Sequence, residues 1–224
     1  MRRGLVLIAT LTLSSALYAQ GSLTRETARE LFSAYNPTLL QEAQQDEKLS
    51  RLVEEVIREY LVKKPADTLE NRYTLIALAR NFENSIALNQ TLDEYRQALL
   101  YSQQGTDLRD SARARAQDAL NAVYSRIWAV SVQVKEDLLS QYQKAYRTAT
   151  TSGEKQDLLA AINTVKADLK SLHTNTGEQL ISLTHATLAQ AEAQAATSQL
   201  QRAILVKESK NLNIKTKHKK PVAG

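Results

Sequence analysis

Apolar positions recur by threes and fours along most of the chain, and the few breakers between them mark where one element gives way to the next. Leu23, Leu31, Phe32 and Tyr35 stand at loose helical spacing and predict a short first helix over 22–35. Asn36-Pro37 then has the form of an N-cap followed by proline at the first helical position, where its missing N–H costs nothing. Leu49, Leu52, Val53, Val56, Ile57, Tyr60 and Leu61 form one buried stripe, which Lys63-Lys64-Pro65 ends. Asp67-Thr68-Leu69-Glu70 has the pattern of a capping box for a second long helix, which carries Tyr73, Ile76, Ala77, Leu92, Tyr95 and Leu99 to about Gln104, with Gly105 as its stop. Asp107 is expected to cap a third, in which Leu108, Ala112, Leu120, Val123, Ile127, Val134 and Leu138 hold the same stripe as far as Thr150-Thr151-Ser152-Gly153. The last helix starts near Glu154, and Leu158, Ile162, Val165, Leu169 and Leu172 alternate by four and three like a coiled-coil seam. That seam passes Thr176 and resumes at Leu180 and Leu183, an extra step of four that relaxes a left-handed supercoil. Continued to Lys207, the helix would be about 80 Å long at roughly 1.5 Å per residue.

Composition narrows the class further. Among 224 residues there are only 6 glycines and 3 prolines, while Ala, Leu, Gln, Glu, Lys and Arg dominate, the side chains that lose least on entering a helix. The expected fold class is therefore all-α: an elongated antiparallel helical bundle with coiled-coil-like long helices and a small N-terminal helical appendage. Four segments follow: a signal peptide over 1–19, an N-terminal helical appendage over 20–66, a three-helix bundle over 67–206, and a basic tail over 207–224. The tail, ending in NLNIKTKHKKPVAG, has no apolar period and is expected to be disordered.

Charge and leader change the picture from a plain bundle to an exported one. Arg2-Arg3, the apolar stretch from Gly4 to Leu17, and Leu17-Tyr18-Ala19 before Gln20 make up an export signal. The apolar stretch is short of the roughly 20 residues that span a bilayer. With no cysteine, the chain is neither a disulfide scaffold nor a lipoprotein lipidated on cysteine. The net charge of +5 is concentrated in the leader arginines and the lysines after Lys207, leaving a body near neutrality. A basic terminus on a near-neutral body does not imply nucleic acid, and it limits membrane contact to that tail or an uncleaved signal. The expected location is periplasmic or extracellular.

Candidate chemistry is sparse. His173 and His185, twelve residues apart on one helix, would be turned by roughly 120° and separated by about 18 Å, too far to share a metal. Gly177 and Ala189 stand where an i+4 ligand would be needed, and His218 lies in the tail. Glu55 with Glu59 is interleaved with Arg51 and Arg58 on a solvated face, and Asp107 with Asp110 suits the first turn of a helix. No Gly-x-Ser-x-Gly and no phosphate loop occurs. Asn89-Gln90-Thr91 fits a glycosylation pattern by chance, mid-helix. Arg109, Arg113 and Arg115 make a small basic stripe flanked by Asp107, Asp110 and Asp118, as a salt-bridged surface does. Tyr142 and Tyr146, one turn apart, are expected to pack in the core more than to form an exposed patch. No catalytic, cofactor-binding or metal-ligating residue is expected, and the partner-binding residues stay unassigned.

An export signal, an early Asn36-Pro37, long charged helices, a turn at Gly153, and a last helix with Gln179-Leu180-Ile181-Ser182-Leu183 followed by Gln190-Ala191-Glu192-Ala193-Gln194-Ala195-Ala196 occur here in that order. Together they resemble the minor pilus subunits of type IV secretion and conjugation systems, TrbJ-like proteins and their VirB-type relatives. The resemblance covers mainly the C-terminal helix. It implies a periplasmic structural or assembly protein that acts through contacts with other secretion-system or envelope proteins, with no catalysis and no cofactor, and that is open to oligomerisation. A periplasmic helical chaperone or envelope scaffold is the alternative.

Overall fold

A computed structural model describes residues 21–101, 106–174 and 176–217; residues 1–20, 102–105, 175 and 218–224, and with them the expected export signal and Gly105, lie outside it. Every extended element among the described residues is an α-helix: α1 (Arg25–Tyr35), α2 (Pro37–Gln45), α3 (Glu47–Val62), α4 (Leu69–Arg80), α5 (Phe82–Tyr101), α6 (Thr106–Thr148), α7 (Ser152–Thr174) and α8 (Thr176–Lys217). The all-α bundle class expected from the pattern is what the structure has.

Local chemistry explains the boundaries, including those that differ from expectation. Asn36 does cap α2, its side chain accepting from the Leu39 N–H at 3.2 Å, with Pro37 at the helix start. The single helix expected from Pro37 to Val62 is two helices, because the Asp46 carboxylate accepts from the N–H groups of Lys48 and Leu49 and so starts α3. Lys64 ends that region with φ at 47°, the left-handed conformation that terminates a helix. In the expected capping box the N-cap is Thr68, whose hydroxyl accepts from the Asn71 N–H. Asp67 instead pairs with Arg72, and Glu70 accepts a hydrogen bond from the Tyr142 hydroxyl. The second long helix is divided at Asn81 into α4 and α5. Gly153 lies inside the first turn of α7, since Thr151 caps it through the Glu154 N–H at 3.2 Å. The expected 54-residue final helix is α7 and α8, which part where the apolar seam takes its extra step. Much of the tail expected to be disordered is helical, because α8 continues to Lys217.

The chain packs as two compact units. The first unit combines residues up to Glu83 with Trp128–Thr174. In it α1 packs against α4, α2 and α3, and Phe32, Leu39, Ile57, Leu75, Ile76 and Leu158 are completely or almost completely buried. Asn36 Nδ2 donates to the Ala79 carbonyl at 3.1 Å, holding the α1–α2 corner to the end of α4. Arg25 and Arg29 of α1 clasp Glu54 of α3, Arg80 reaches Asp137 at 3.2 Å, and Lys135 reaches Asp168 at 2.5 Å. The second unit combines Asn84–Ile127 with the residues from 175 onward. Its core joins Tyr95 and Leu99 of α5, Ala112, Ala116, Leu120 and Tyr124 of α6, and Leu188, Ala191 and Ala195 of α8.

Candidate functional site

The second unit is a small three-helix bundle whose directions are set by polar ties. Arg126 donates to the Asn84 side chain at 3.0 Å, pairing the two ends of an antiparallel α5–α6 hairpin. Tyr95 donates to Glu192 at 2.7 Å and Gln199 Nε2 donates to the Leu99 carbonyl at 3.2 Å, so α8 runs parallel to α5. Arg113 meets Glu192 at 3.4 Å and Thr184 donates to Asn121 at 2.7 Å, so α8 runs antiparallel to α6. Burial followed by the Glu192 carboxylate pushes the Tyr95 hydroxyl well above its ordinary pKa, which keeps it a donor.

Small residues let these helices approach. Ala112, Ala116, Ala191 and Ala195 all face inward and are almost fully buried, while Gln190 and Gln194 are exposed. The alanine–glutamine run thus divides by face into packing and solvent positions. Within Gln-Leu-x-x-Leu the outcome is less regular: Leu180 packs against the core, but Leu183, expected inside, is 46% exposed. The seam instead runs Leu180, Thr184, Leu188, Ala191, Ala195, steps of four and three that end at Gln199.

Among the described residues α5 stops at Tyr101 and α6 starts at Thr106, so beyond Gln199 neither described helix continues alongside α8. The helix α8 nevertheless goes on to Lys217, an overshoot of about 27 Å at roughly 1.5 Å per residue. Leu200, Ile204, Leu205 and Val206 are exposed along its first turns, at 64%, 49%, 64% and 53%. Tyr101 and Leu108, at the tip of the hairpin that Gln199 touches, are 83% and 66% exposed. These large aliphatic and aromatic side chains are exposed towards one end of this unit. The sequence had assigned no partner-binding residue. The signal for these was the continued apolar content past Gln199 in a helix whose hairpin partners end earlier.

The residues considered for chemistry are dispersed or tied up. His173 is exposed at the end of α7, its ring edge-on to Trp128 at 5.8 Å, and His185 is exposed on α8. His218 lies outside the described residues. Glu55 pairs with Arg58 at 3.5 Å and Glu59 is exposed. Asp110 is exposed on α6, which Asp107 also joins, the helix starting two residues earlier than a cap at Asp107 implies. Asn89 is exposed midway along α5. Of the basic stripe, Arg113 turns to Glu192. Tyr142 is buried and Tyr146 half-buried. Among the described residues no group of three or more His, Asp or Glu side chains is placed to hold a metal ion.

Two of the surface depressions among the first unit's described residues hold charged side chains. One, of about 450 Å³, lies between α4, α6 and α7 over Val134, Leu138 and Val165, with Lys135 bonded to Asp168 and Glu70 bonded to Tyr142. The other, of about 660 Å³, lies between α1 and α3 and holds Arg25, Arg51 and Arg58 among Glu54 and Glu55. Burial raises the Glu54 pKa, but hydrogen bonds from Arg25 and Arg29 outweigh it and hold the carboxyl below its ordinary value. In both depressions the charges answer one another, as they do in structural ion pairs. No described helix is long and apolar enough to cross a membrane. Compared with known protein families, curated proteins and solved structures, the chain matches none.

Proposed function

We propose that this protein is an exported structural subunit of a type IV secretion apparatus, of the minor-pilus or assembly kind, which works through protein contacts made by the free end of α8. The observation that carries this reading is the overshoot of α8 past the α5–α6 hairpin with Leu200, Ile204 and Leu205 exposed. Aliphatic side chains on all sides of a helix are ordinarily covered by other helices, so this segment has the composition of an assembly contact. The export signal over 1–19 and the order of features in the C-terminal helix supply the secretion context.

The test is made in the native host with the full-length chain. Wild-type protein should co-sediment with sheared pili or with an envelope-spanning complex, and its deletion should abolish conjugative transfer. The Leu205→Asp variant should be exported and folded yet lost from the sedimenting fraction. Recovery of the wild-type protein only as a free periplasmic species, with transfer unaffected by deletion, refutes the proposal. If the purified protein then delays aggregation of an unfolded outer-membrane protein, the chaperone reading replaces it.

A further inference from the structure

We propose that the depression between α4, α6 and α7 of the first unit binds a small organic ammonium, with Glu70 taking the charged head and the apolar floor taking a hydrocarbon body. This site uses no residue of α8, and it goes beyond a purely structural role.

The depression is built within one unit, from residues 70–77 of α4, 131–138 of α6 and 161–168 of α7. Tyr73, Val134, Leu138 and Val165 in its lining are buried, while Ala77 and Ala161 contribute only a methyl group each. Its volume of about 450 Å³ falls in the range of roughly 300–1,000 Å³ typical of small-molecule sites, which are mostly apolar with a few placed polar groups.

The charged side chains of the lining select the ligand. Lys135 and Asp168 bond to each other at 2.5 Å and cancel. Glu70 is the exception among these charges, because its partner is the Tyr142 hydroxyl, which is neutral and donates to Oε1. Among the described residues no lysine or arginine pairs with Glu70, and its Oε2 accepts no hydrogen bond. Tyr142 is almost fully buried, so its hydroxyl holds one carboxylate oxygen in place and leaves the other to the exposed side. Burial pushes the Tyr73 hydroxyl up to about 12, which keeps it uncharged beside that carboxylate. A single negative charge over an apolar floor complements a monocation, and an N–H donor for Oε2 is what a primary ammonium supplies.

The same bonds set the length of the ligand. Tyr142 and Lys135 stand seven residues apart on α6, about 10 Å at roughly 1.5 Å per residue. Glu70 and the Lys135–Asp168 pair therefore mark the two ends of an apolar strip, long enough for a chain of several methylenes.

Hexylammonium is the probe, titrated into the full chain and followed by amide NMR. Shifts should saturate as for one site, centre on the amides of 70–77, 131–138 and 161–168, and weaken with added salt. Hexanol, uncharged and of the same length, should bind about fivefold more weakly, the upper value for one partly exposed charge pair, and hexanoate should not bind. Glu70→Gln should lose the same factor with unchanged helical circular dichroism, whereas Glu136→Gln, which removes another exposed carboxylate of α6, should change nothing. Thr164→Trp sets a bulky ring at an exposed position of the lining and should abolish binding with the fold intact. Equal binding of hexanol and hexylammonium overturns the proposal, as does binding that survives Thr164→Trp. Equal losses in Glu70→Gln and Glu136→Gln, or shifts that never saturate, overturn it as well.

Discussion

Leu183 and Leu188 stand five residues apart on α8 and give the sharpest measure of its register. Leu188 is completely buried among Tyr95, Leu120, Tyr124 and Ala191, whereas Leu183 is 46% exposed. Truncating a buried leucine to alanine costs about 2.7–5 kcal/mol, the lower end where neighbours collapse into the gap. Here Ala112, Ala116, Ala191 and Ala195 are already small and already in close contact, so little can move inward. Leu188→Ala should therefore cost about 3 kcal/mol or more. Leu183→Ala gives up a side chain that is half in water and should cost below about 1 kcal/mol. For a chain of this length 1 kcal/mol is roughly 2–4 °C, so the melting temperatures should fall by about 6–12 °C and by less than about 4 °C. Urea titration followed by circular dichroism at 222 nm measures both, and fluorescence of Trp128, which belongs to the first unit, is recorded in parallel. Equal costs, or a larger cost at Leu183, would put the seam at Leu172, Leu180 and Leu183 and refute the packing described for the second unit.

Thr184 is fully buried and donates to Asn121, so Thr184→Val should leave the Asn121 carbonyl oxygen without that donor and cost about 1–2 kcal/mol, while Thr184→Ser should cost less; urea unfolding distinguishes them. A hydrogen bond from Arg72, opposed by burial, holds the Asp67 pKa below 3.8. A depressed carboxylate contributes stability that is full above its unfolded value and is lost as pH falls through the lower folded one, so Asp67→Asn should flatten the loss of stability as pH falls below about 4, measured by thermal melts. Burial pushes the Tyr73 hydroxyl from 10.0 up to about 12. Its stabilising contribution is present below pH 10 and lost between 10 and 12, and Tyr73→Phe should remove that part of the alkaline transition seen in tyrosinate absorbance.

What was legible in the sequence depended on how local the cause was. Asn36-Pro37 and the stop at Lys63-Lys64-Pro65 are decided by residues within one turn of themselves, and both could be read directly. The division at Asp46 also has a local cause, a carboxylate bonding two N–H groups just ahead of it, but the apolar stripe carries on across it and masks the break. Asp67-Thr68-Leu69-Glu70 misleads for a different reason. Its spacing satisfies a capping box, yet Arg72 claims Asp67 and Tyr142, seventy-two residues from Glu70, claims the other carboxylate. A side chain five residues on decides which of the two adjacent capping residues is used, and a long-range partner removes the reciprocal glutamate.

The candidate surface was hidden by a comparison that no single segment contains. Apolar content does not change at Gln199: Leu180, Leu188 and Ala195 precede it, and Leu200, Ile204 and Leu205 follow. What changes is the surroundings: Asn84 meets Arg126, and α5, whose Leu99 carbonyl accepts from Gln199, ends at Tyr101. Adding one heptad to each arm of the α5–α6 hairpin would lay about 10 Å more of it along α8, far enough to reach Leu200 and Ile204. The exposure of these residues therefore follows from the difference in length between α8 and the α5–α6 pair. Exposure of this kind is encoded in helix lengths as much as in the side chains that are exposed.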